Sequence, residues 1–254
     1  MIPHALPYFA KSAIAWQSIT AVLLLFAYAT NAQGFTINPM SYTLEPSGDA
    51  SRQTLRIENT FRYAVAIEIE VSRRSMDEAG QVSHMPAEED FLIFPPQTRL
   101  EPGATQAIRV QYIGDPNLTE TRAYTVAARQ VPVRAPESDS ASVQVVFNMG
   151  TAAYVRPRGA RAEIDPVELQ PADDEEFLRA VIHNRGNGHL NLQEARWIVR
   201  NGDGVEQQLD RETLQALLQN PVIYPGQSRH VLLPKDILND RSAVSLSIRT
   251  DSRG

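Results

Sequence analysis

The stretch Ser142 to Pro157 reads SVQVVFNMGTAAYVRP, and its first half alternates. Val143, Val145, Phe147 and Met149 stand at every second position, with polar Gln144 and Asn148 among the residues between them. A period of two gathers those four apolar side chains on one face of a β-strand. Two readings of such a row are open. In an ordinary sandwich strand the row faces that sandwich's own core. On an edge strand it can serve a second protein. A slip of one residue would exchange the two faces and bring Val146 into the row. The stretch alone does not choose between the readings, and the surrounding chain has to.

The chain has 254 residues, 43% of them hydrophobic and 21% charged, which fits a folded protein of one large or two ordinary domains. There is no cysteine, which excludes disulfides, thiolate metal sites and cysteine nucleophiles. Residues 1–32 read as a signal peptide. Lys11 is their only charged side chain, Ile19 to Phe26 is apolar apart from Thr20, and Ala27-Tyr28-Ala29 fits a cleavage site, as does cleavage after Ala32. The apolar core is shorter than the ~20 residues of a membrane span, so export with removal of the segment is the expectation. Losing Lys11 leaves 23 basic against 30 acidic residues, a net charge of −7, which gives no electrostatic reason to bind nucleic acid.

From Phe35 to Val131 the chain reads as short strands separated by turn signals. Phe35 to Thr43 is a first strand in which Pro39 implies an edge or a switch between sheets. Gln53 to Asn59 alternates with Leu55 and Ile57 inward. Tyr63, Val65, Ile67, Ile69 and Val71 share one face of a longer strand. Ala79-Gly80 marks a turn, Phe91 to Phe94 is a short apolar run, and Arg99 to Gly103 is a turn ahead of a strand that carries Ile108, Val110 and Tyr112 on one face. Tyr124 to Val131 follows, then a polar loop, Arg134 to Ala141, and then the quoted stretch. About seven strands over roughly a hundred residues describe an immunoglobulin-like sandwich.

Arg156 to Gly159 ends that pattern, and the plan restarts. Ile57-Glu58-Asn59-Thr60 is echoed in Ile182-His183-Asn184-Arg185, and Glu101-Pro102-Gly103 in Tyr224-Pro225-Gly226, both at an offset of about 124 residues. Phe177 to Ile182, Ala195 to Arg200, His230 to Leu233 and Val244 to Ile248 read as strands, Asn201-Gly202 as a hairpin turn, and Asp210 as the N-cap of a helical turn. The fold class is all-β, with two β-sandwiches in series: residues 33–157 and 158–254.

No catalytic constellation is present: no nucleophile elbow, phosphate-binding loop or dinucleotide fingerprint occurs. His183 and His189 have no spacing that aims them at one metal ion, and the carboxylate run Asp173 to Glu176 lacks the spaced ligands and turn glycine of a calcium loop. Trp197 is most simply a core residue. The chain is therefore read as a non-enzyme with no cofactor, no metal and no small-molecule substrate.

Three segments together carry a resemblance. They are PPQTRLEPGATQAIRV at Pro95 to Val110, then RAYTV at Arg122 to Val126 with RQVP at Arg129 to Pro132, and YVRP at Tyr154 to Pro157. In this order they resemble the periplasmic chaperones of the chaperone–usher pilus pathway. The resemblance covers Phe35 to Pro157 and reaches the second half only in length and plan. It implies two immunoglobulin-like domains in a boomerang arrangement, a periplasmic location, pilus or fimbrial subunits as partners, and delivery to an outer-membrane usher. It further implies that the last strand of domain one is lent to a subunit that lacks a strand of its own, a form of β-augmentation. Val143, Val145, Phe147 and Met149 are then the donated row. The family's usual anchor for the subunit's terminal carboxylate is an Arg on the first strand and a Lys on the last. Here Lys11 and Lys235 are the only lysines and no arginine precedes Arg52, so neither anchor carries over. Arg156 and Arg129 are the candidate substitutes. An exported structural or adhesive pilus component is the alternative, since it would share the leader and the sandwich strands.

Overall fold

The computed structural model describes residues 34–131, 146–237 and 245–250. The first part is built from β1 (Phe35–Asn38), β2 (Ser41–Leu44), β3 (Arg52–Asn59), β4 (Val65–Met76), β5 (Val82–Pro86), β6 (Phe91–Phe94), β7 (Gln97–Leu100), β8 (Thr105–Tyr112), β9 (Arg122–Val131) and β10 (Asn148–Val155). One sheet has the order β1-β3-β8-β6. The facing sheet has the order β2-β10-β9-β4-β5, with β7 also on β4. Pro39 lies between β1 and β2, and the chain does change sheets there.

Alternation explains the core. Leu55, Ile57, Ile108 and Val110 from the first sheet meet Val65, Ile67, Val71, Val126 and Val155 from the second, all essentially without exposure. Two sequence expectations need correcting. Tyr63 is not in the row with Val65; it is 51% exposed in the turn before β4, stacked on Phe61. The segment around Arg99 is not only a turn, because Gln97 to Leu100 pair with β4. β4 itself continues past Val71 to Met76, because Ser72 to Met76 pair with β5.

The second part comprises β11 (Glu168–Pro171), β12 (Phe177–His183), β13 (Leu190–Asn191), β14 (Arg196–Arg200), β15 (Glu206–Gln208), helix α1 (Arg211–Leu217), β16 (Val222–Ile223), β17 (Ser228–Pro234) and β18 (Ser245–Arg249). Sheets β11-β12-β17 and β15-β14-β18 enclose a separate core around Trp197, whose Nε1 donates to the Leu192 carbonyl at 2.8 Å. Asp210 caps α1 by accepting from Thr213 N. The fold is two immunoglobulin-like β-sandwiches.

The echoed sequences do the same physical job in each half. Asn59 Nδ2 donates to the Leu100 and Glu101 carbonyls, and Gly103 N donates to the Asn59 carbonyl. Asn184 Nδ2 donates to the Tyr224 and Gly188 carbonyls, and Gly226 N donates to the Asn184 carbonyl. Each asparagine is fully buried and fastens a strand end to a Pro-Gly turn, whose glycine has a φ of 73° or 67°.

The sandwiches meet in a small aromatic joint. Tyr154 and Ala123 of the first and Tyr224 of the second are buried together with Met76 against them. His189 stacks on Tyr154 with centroids 4.0 Å apart and planes 8° from parallel. The β4–β5 hairpin reaches across as well. His230 N donates to the Glu78 carbonyl, Asn220 Nδ2 donates to the Gly80 carbonyl, and the Arg229 guanidinium covers Gly80.

Asn184→Ala would leave several buried backbone groups without partners, so it should cost about 3 kcal/mol in denaturant unfolding of the mature chain; a loss within about 0.5 kcal/mol would show that the turn holds itself. The joint should also be sensitive to acid. The His189 ring is pushed down to about 4, first by burial and then by the Arg156 and Arg74 charges, whereas in an unfolded chain it titrates near 6.5. Between those values the unfolded state binds the extra proton. The contribution is therefore complete above about pH 6.5 and is lost as pH falls towards 4, by up to about 3 kcal/mol. Unfolding measured across this range should show a shallower pH slope for His189→Gln than for the wild type; equal slopes would contradict the assignment.

Candidate functional site

β10 has two unlike edges. On one side it pairs with β9 along its whole length, from Asn148 opposite Arg129 to Val155 opposite Arg122. On the other it pairs with β2, in parallel, only from Ala152 to Val155. Backbone groups of a strand alternate between its two sides. The Phe147 carbonyl accepts from Gln130 N on the β9 side, and Ala152 N donates to the Met40 carbonyl on the β2 side. Asn148 and Gly150, in phase with Ala152, therefore turn their N–H and C=O groups to a side on which no strand lies among the described residues.

The side chains of this half-open strand are sorted by parity. Thr151, Ala153 and Val155 are buried, and Met149 packs on the core of the first sandwich. Phe147 lies edge-on to buried Phe61 with centroids 5.2 Å apart, yet stays 37% exposed. Val146 is 44% exposed and in phase with outward Asn148. Val143 and Val145, and the loop from Arg134 to Ala141, lie outside the described residues.

The outer face of the same sheet is polar at one end and aromatic at the other. Arg129 there is already engaged: its Nε donates to Glu70 at 2.5 Å and its Nη2 to Glu68 at 2.9 Å. A pocket of about 470 Å³ follows, bordered by Ser72, His84, Thr125 and Gly150. The face then closes on the joint. Arg156 gives its Nε to the Ala160 carbonyl at 2.9 Å. The Arg74 guanidinium carbon lies 5.3 Å from the Tyr154 ring centroid and 6.0 Å from that of Tyr224. Phe61 and Arg74 were both missed in sequence. Phe61 stands in a turn with no periodicity to flag it. The signal for Arg74 was the pair Arg73-Arg74 breaking the apolar alternation just before the Ala79-Gly80 turn.

Among the described residues, no three His, Asp or Glu side chains come together as a metal site. His183 Nδ1 is 3.0 Å from Ser228 Oγ, while His189 is taken up by Tyr154, so the two histidines serve separate places. Of the acidic run, Asp174 accepts from Glu176 N within its own loop, and Asp173 lies 3.5 Å from Arg179.

Residues 36–161 match the family model of the pili and flagellar-assembly chaperone, PapD N-terminal domain. A comparison with curated proteins finds no match. Solved structures give the same fold at low identity. The class 5 fimbriae chaperone CfaA is 15% identical with a TM-score of 0.55, over 87% of this chain and 93% of that one. The E. coli chaperone DraB is 20% identical with a TM-score of 0.52, over 81% and 87%. A chain of the Salmonella enterica SafA pilin complex with the SafB chaperone is 16% identical with a TM-score of 0.51, over 81% and 86%. Through its first sandwich the chain belongs to the pili and flagellar-assembly chaperones, as a divergent PapD-like member.

Proposed function

We propose that the mature chain, freed of residues 1–32, is a periplasmic chaperone that completes a pilus subunit by lending it a strand and hands it to an outer-membrane usher. The N-terminal domain, 33–157, does the lending, and 158–254 forms the second domain. What supports this is the half-paired β10: the backbone groups of Asn148 and Gly150, which face no strand among the described residues, stand beside an apolar row that includes exposed Phe147. An extended segment laid along this edge would gain main-chain hydrogen bonds whatever its sequence. Val143, Val145, Phe147 and Met149 would supply the side chains. A large apolar side chain contributes about 1.5–3 kcal/mol on full burial, before ordering costs are counted. Met149 already packs on its own core, so most of the new burial would fall to the other three.

Arg156 and Arg129 are the arginines proposed from sequence to hold the subunit's terminal carboxylate. Arg129 would have to exchange Glu68 and Glu70 for it, which leaves Arg156 the freer of the two. The sequence has no nucleotide-binding motif, so folding and strand exchange are the proposed energy source for assembly.

Co-expression of the mature chain with the nearest pilus-like subunit gene tests the reading. The wild type should purify as a one-to-one complex. Val145→Glu/Phe147→Glu should stay folded and lose the subunit. If the double variant retains it, or the wild type joins polymers of itself instead, the adhesive-component reading takes over.

A further inference from the structure

The chain contains two Asn-Gly pairs, Asn187-Gly188 and Asn201-Gly202. Such a pair can close on itself. The glycine nitrogen, unhindered by a side chain on its own residue, attacks the asparagine Cγ and expels the side-chain nitrogen as ammonia. Within a fold the outcome depends on whether the nucleophile and the leaving amide are free, and on what stabilises the charge that develops on Oδ1. The two pairs are placed very differently. Asn187-Gly188 is held shut. Gly188 is buried, and its N donates to the Arg161 carbonyl at 2.8 Å. Asn187 Nδ2 donates to the Thr119 carbonyl at 3.0 Å, and Asn187 Oδ1 accepts from Arg161 N at 3.1 Å. An added Cβ on Gly188 would stand 2.7 Å from the Arg161 Cα, so this glycine is pressed against the segment that links the sandwiches. Nucleophile and leaving group are both engaged.

Asn201-Gly202, in the turn between β14 and β15, is arranged the other way. Gly202 is exposed, and neither its N–H nor Asn201 Nδ2 has a hydrogen-bond partner among the described residues. Asn201 Oδ1, in contrast, accepts from Asp203 N at 3.1 Å and from Val205 N at 2.8 Å. Two backbone donors thus converge on the oxygen that gains charge when Cγ is attacked, which is the arrangement of an oxyanion hole. The adjoining Asp203-Gly204 pair lacks the free nucleophile, because Gly204 N donates to the Asn201 carbonyl at 3.0 Å.

We propose that Asn201 is a self-modification site, converted to isoaspartate and aspartate in the folded protein while Asn187 is spared. Gly202 N gives its proton to a solvent base and forms a bond to Asn201 Cγ. The resulting oxyanion on Oδ1 is held by Asp203 N and Val205 N. The carbonyl then re-forms as the Cγ–Nδ2 bond breaks, and ammonia leaves with a proton taken from water. One water molecule opens the cyclic imide: breaking the bond from its nitrogen to Cγ gives aspartate, and breaking the bond to the backbone carbonyl carbon gives isoaspartate. Nothing is oxidised or reduced, and water is the only co-reactant. Either product adds a negative charge to a turn that already carries Asp203 and leads to Glu206. Isoaspartate also lengthens the backbone by one carbon at the residue that bonds Val205 and Gly204 to close the turn, so it loosens β15 from β14. The site lies in the second sandwich and does not depend on the strand-lending reading.

Incubation of the mature full chain in mildly alkaline buffer, sampled over days and mapped peptide by peptide in a mass spectrometer, tests this directly. Acid formation is followed at each asparagine, and enzymatic methylation of isoaspartyl groups separates the two products. Synthetic peptides of residues 184–192 and 198–206, incubated alongside, give the rate each sequence has without the fold. Asn201 should convert in the folded chain at least as fast as in its peptide. Asn187 should convert about tenfold or more slowly than in its own peptide. Gly202 does not take a left-handed backbone, so Gly202→Ala should keep the wild-type unfolding midpoint while slowing conversion at Asn201 about tenfold. If Asn201 stays intact in the folded chain over the time in which its peptide converts, or if Asn187 converts as fast as Asn201, the proposal is overturned. An unchanged rate in folded Gly202→Ala would equally overturn it, because the glycine nitrogen would then not be the nucleophile.

Discussion

A β-strand that is hydrogen-bonded on both sides for only part of its length is the constraint from which the behaviour of this protein follows. β10 is anchored where β2 and β9 flank it, from Ala152 to Val155, and among the described residues no strand flanks Asn148 and Gly150 on the β2 side. Proteins usually blunt such edges with charges, prolines or bulges, because an open ladder invites another chain. Here the open part carries Asn148 and Gly150 and is preceded by Val146 and Phe147, none of which blocks pairing. What is a liability in most sheets becomes, on the proposed reading, the surface on which another sheet is completed.

The rest of the first sandwich keeps that strand in place without closing it. The inward row continues from Met149 through Thr151, Ala153 and Val155, so one end of β10 is fixed by burial while the other is left to Phe147 against Phe61. On the outer face, Tyr154 belongs to the joint with the second sandwich. The same strand therefore touches an open edge, a buried core and the second sandwich within eight residues. Arg74 sits where these meet.

Much of this was legible in the residues. Strict alternation in Leu55-Arg56-Ile57 and Ile108-Arg109-Val110 marks faces, because a half-buried strand tolerates no other order. The two echoes around Asn59 and Asn184 were visible as letters, and their meaning, an asparagine tying a strand to a Pro-Gly turn, required the hydrogen bonds. β5 and β7 were missed because short edge segments such as VSHMP are exposed on both faces and carry no apolar period. Tyr63 was assigned to the wrong neighbourhood because alternation alone does not say where a strand begins. Arg74 was missed for a different reason. Its importance depends on Tyr154 and Tyr224, which lie 80 and 150 residues away in sequence, and no local pattern can reveal such a meeting.

The central claim is that the open edge of β10 is where a subunit binds, and amide hydrogen exchange at Asn148 and Gly150 tests it most directly. Both amides point away from β9, so in the free chain they should exchange quickly while those of Ala152 and Tyr154 are protected. With a subunit bound, Asn148 and Gly150 should become protected together. If they exchange at the same rate with and without the subunit, the subunit binds elsewhere and β10 is only an edge.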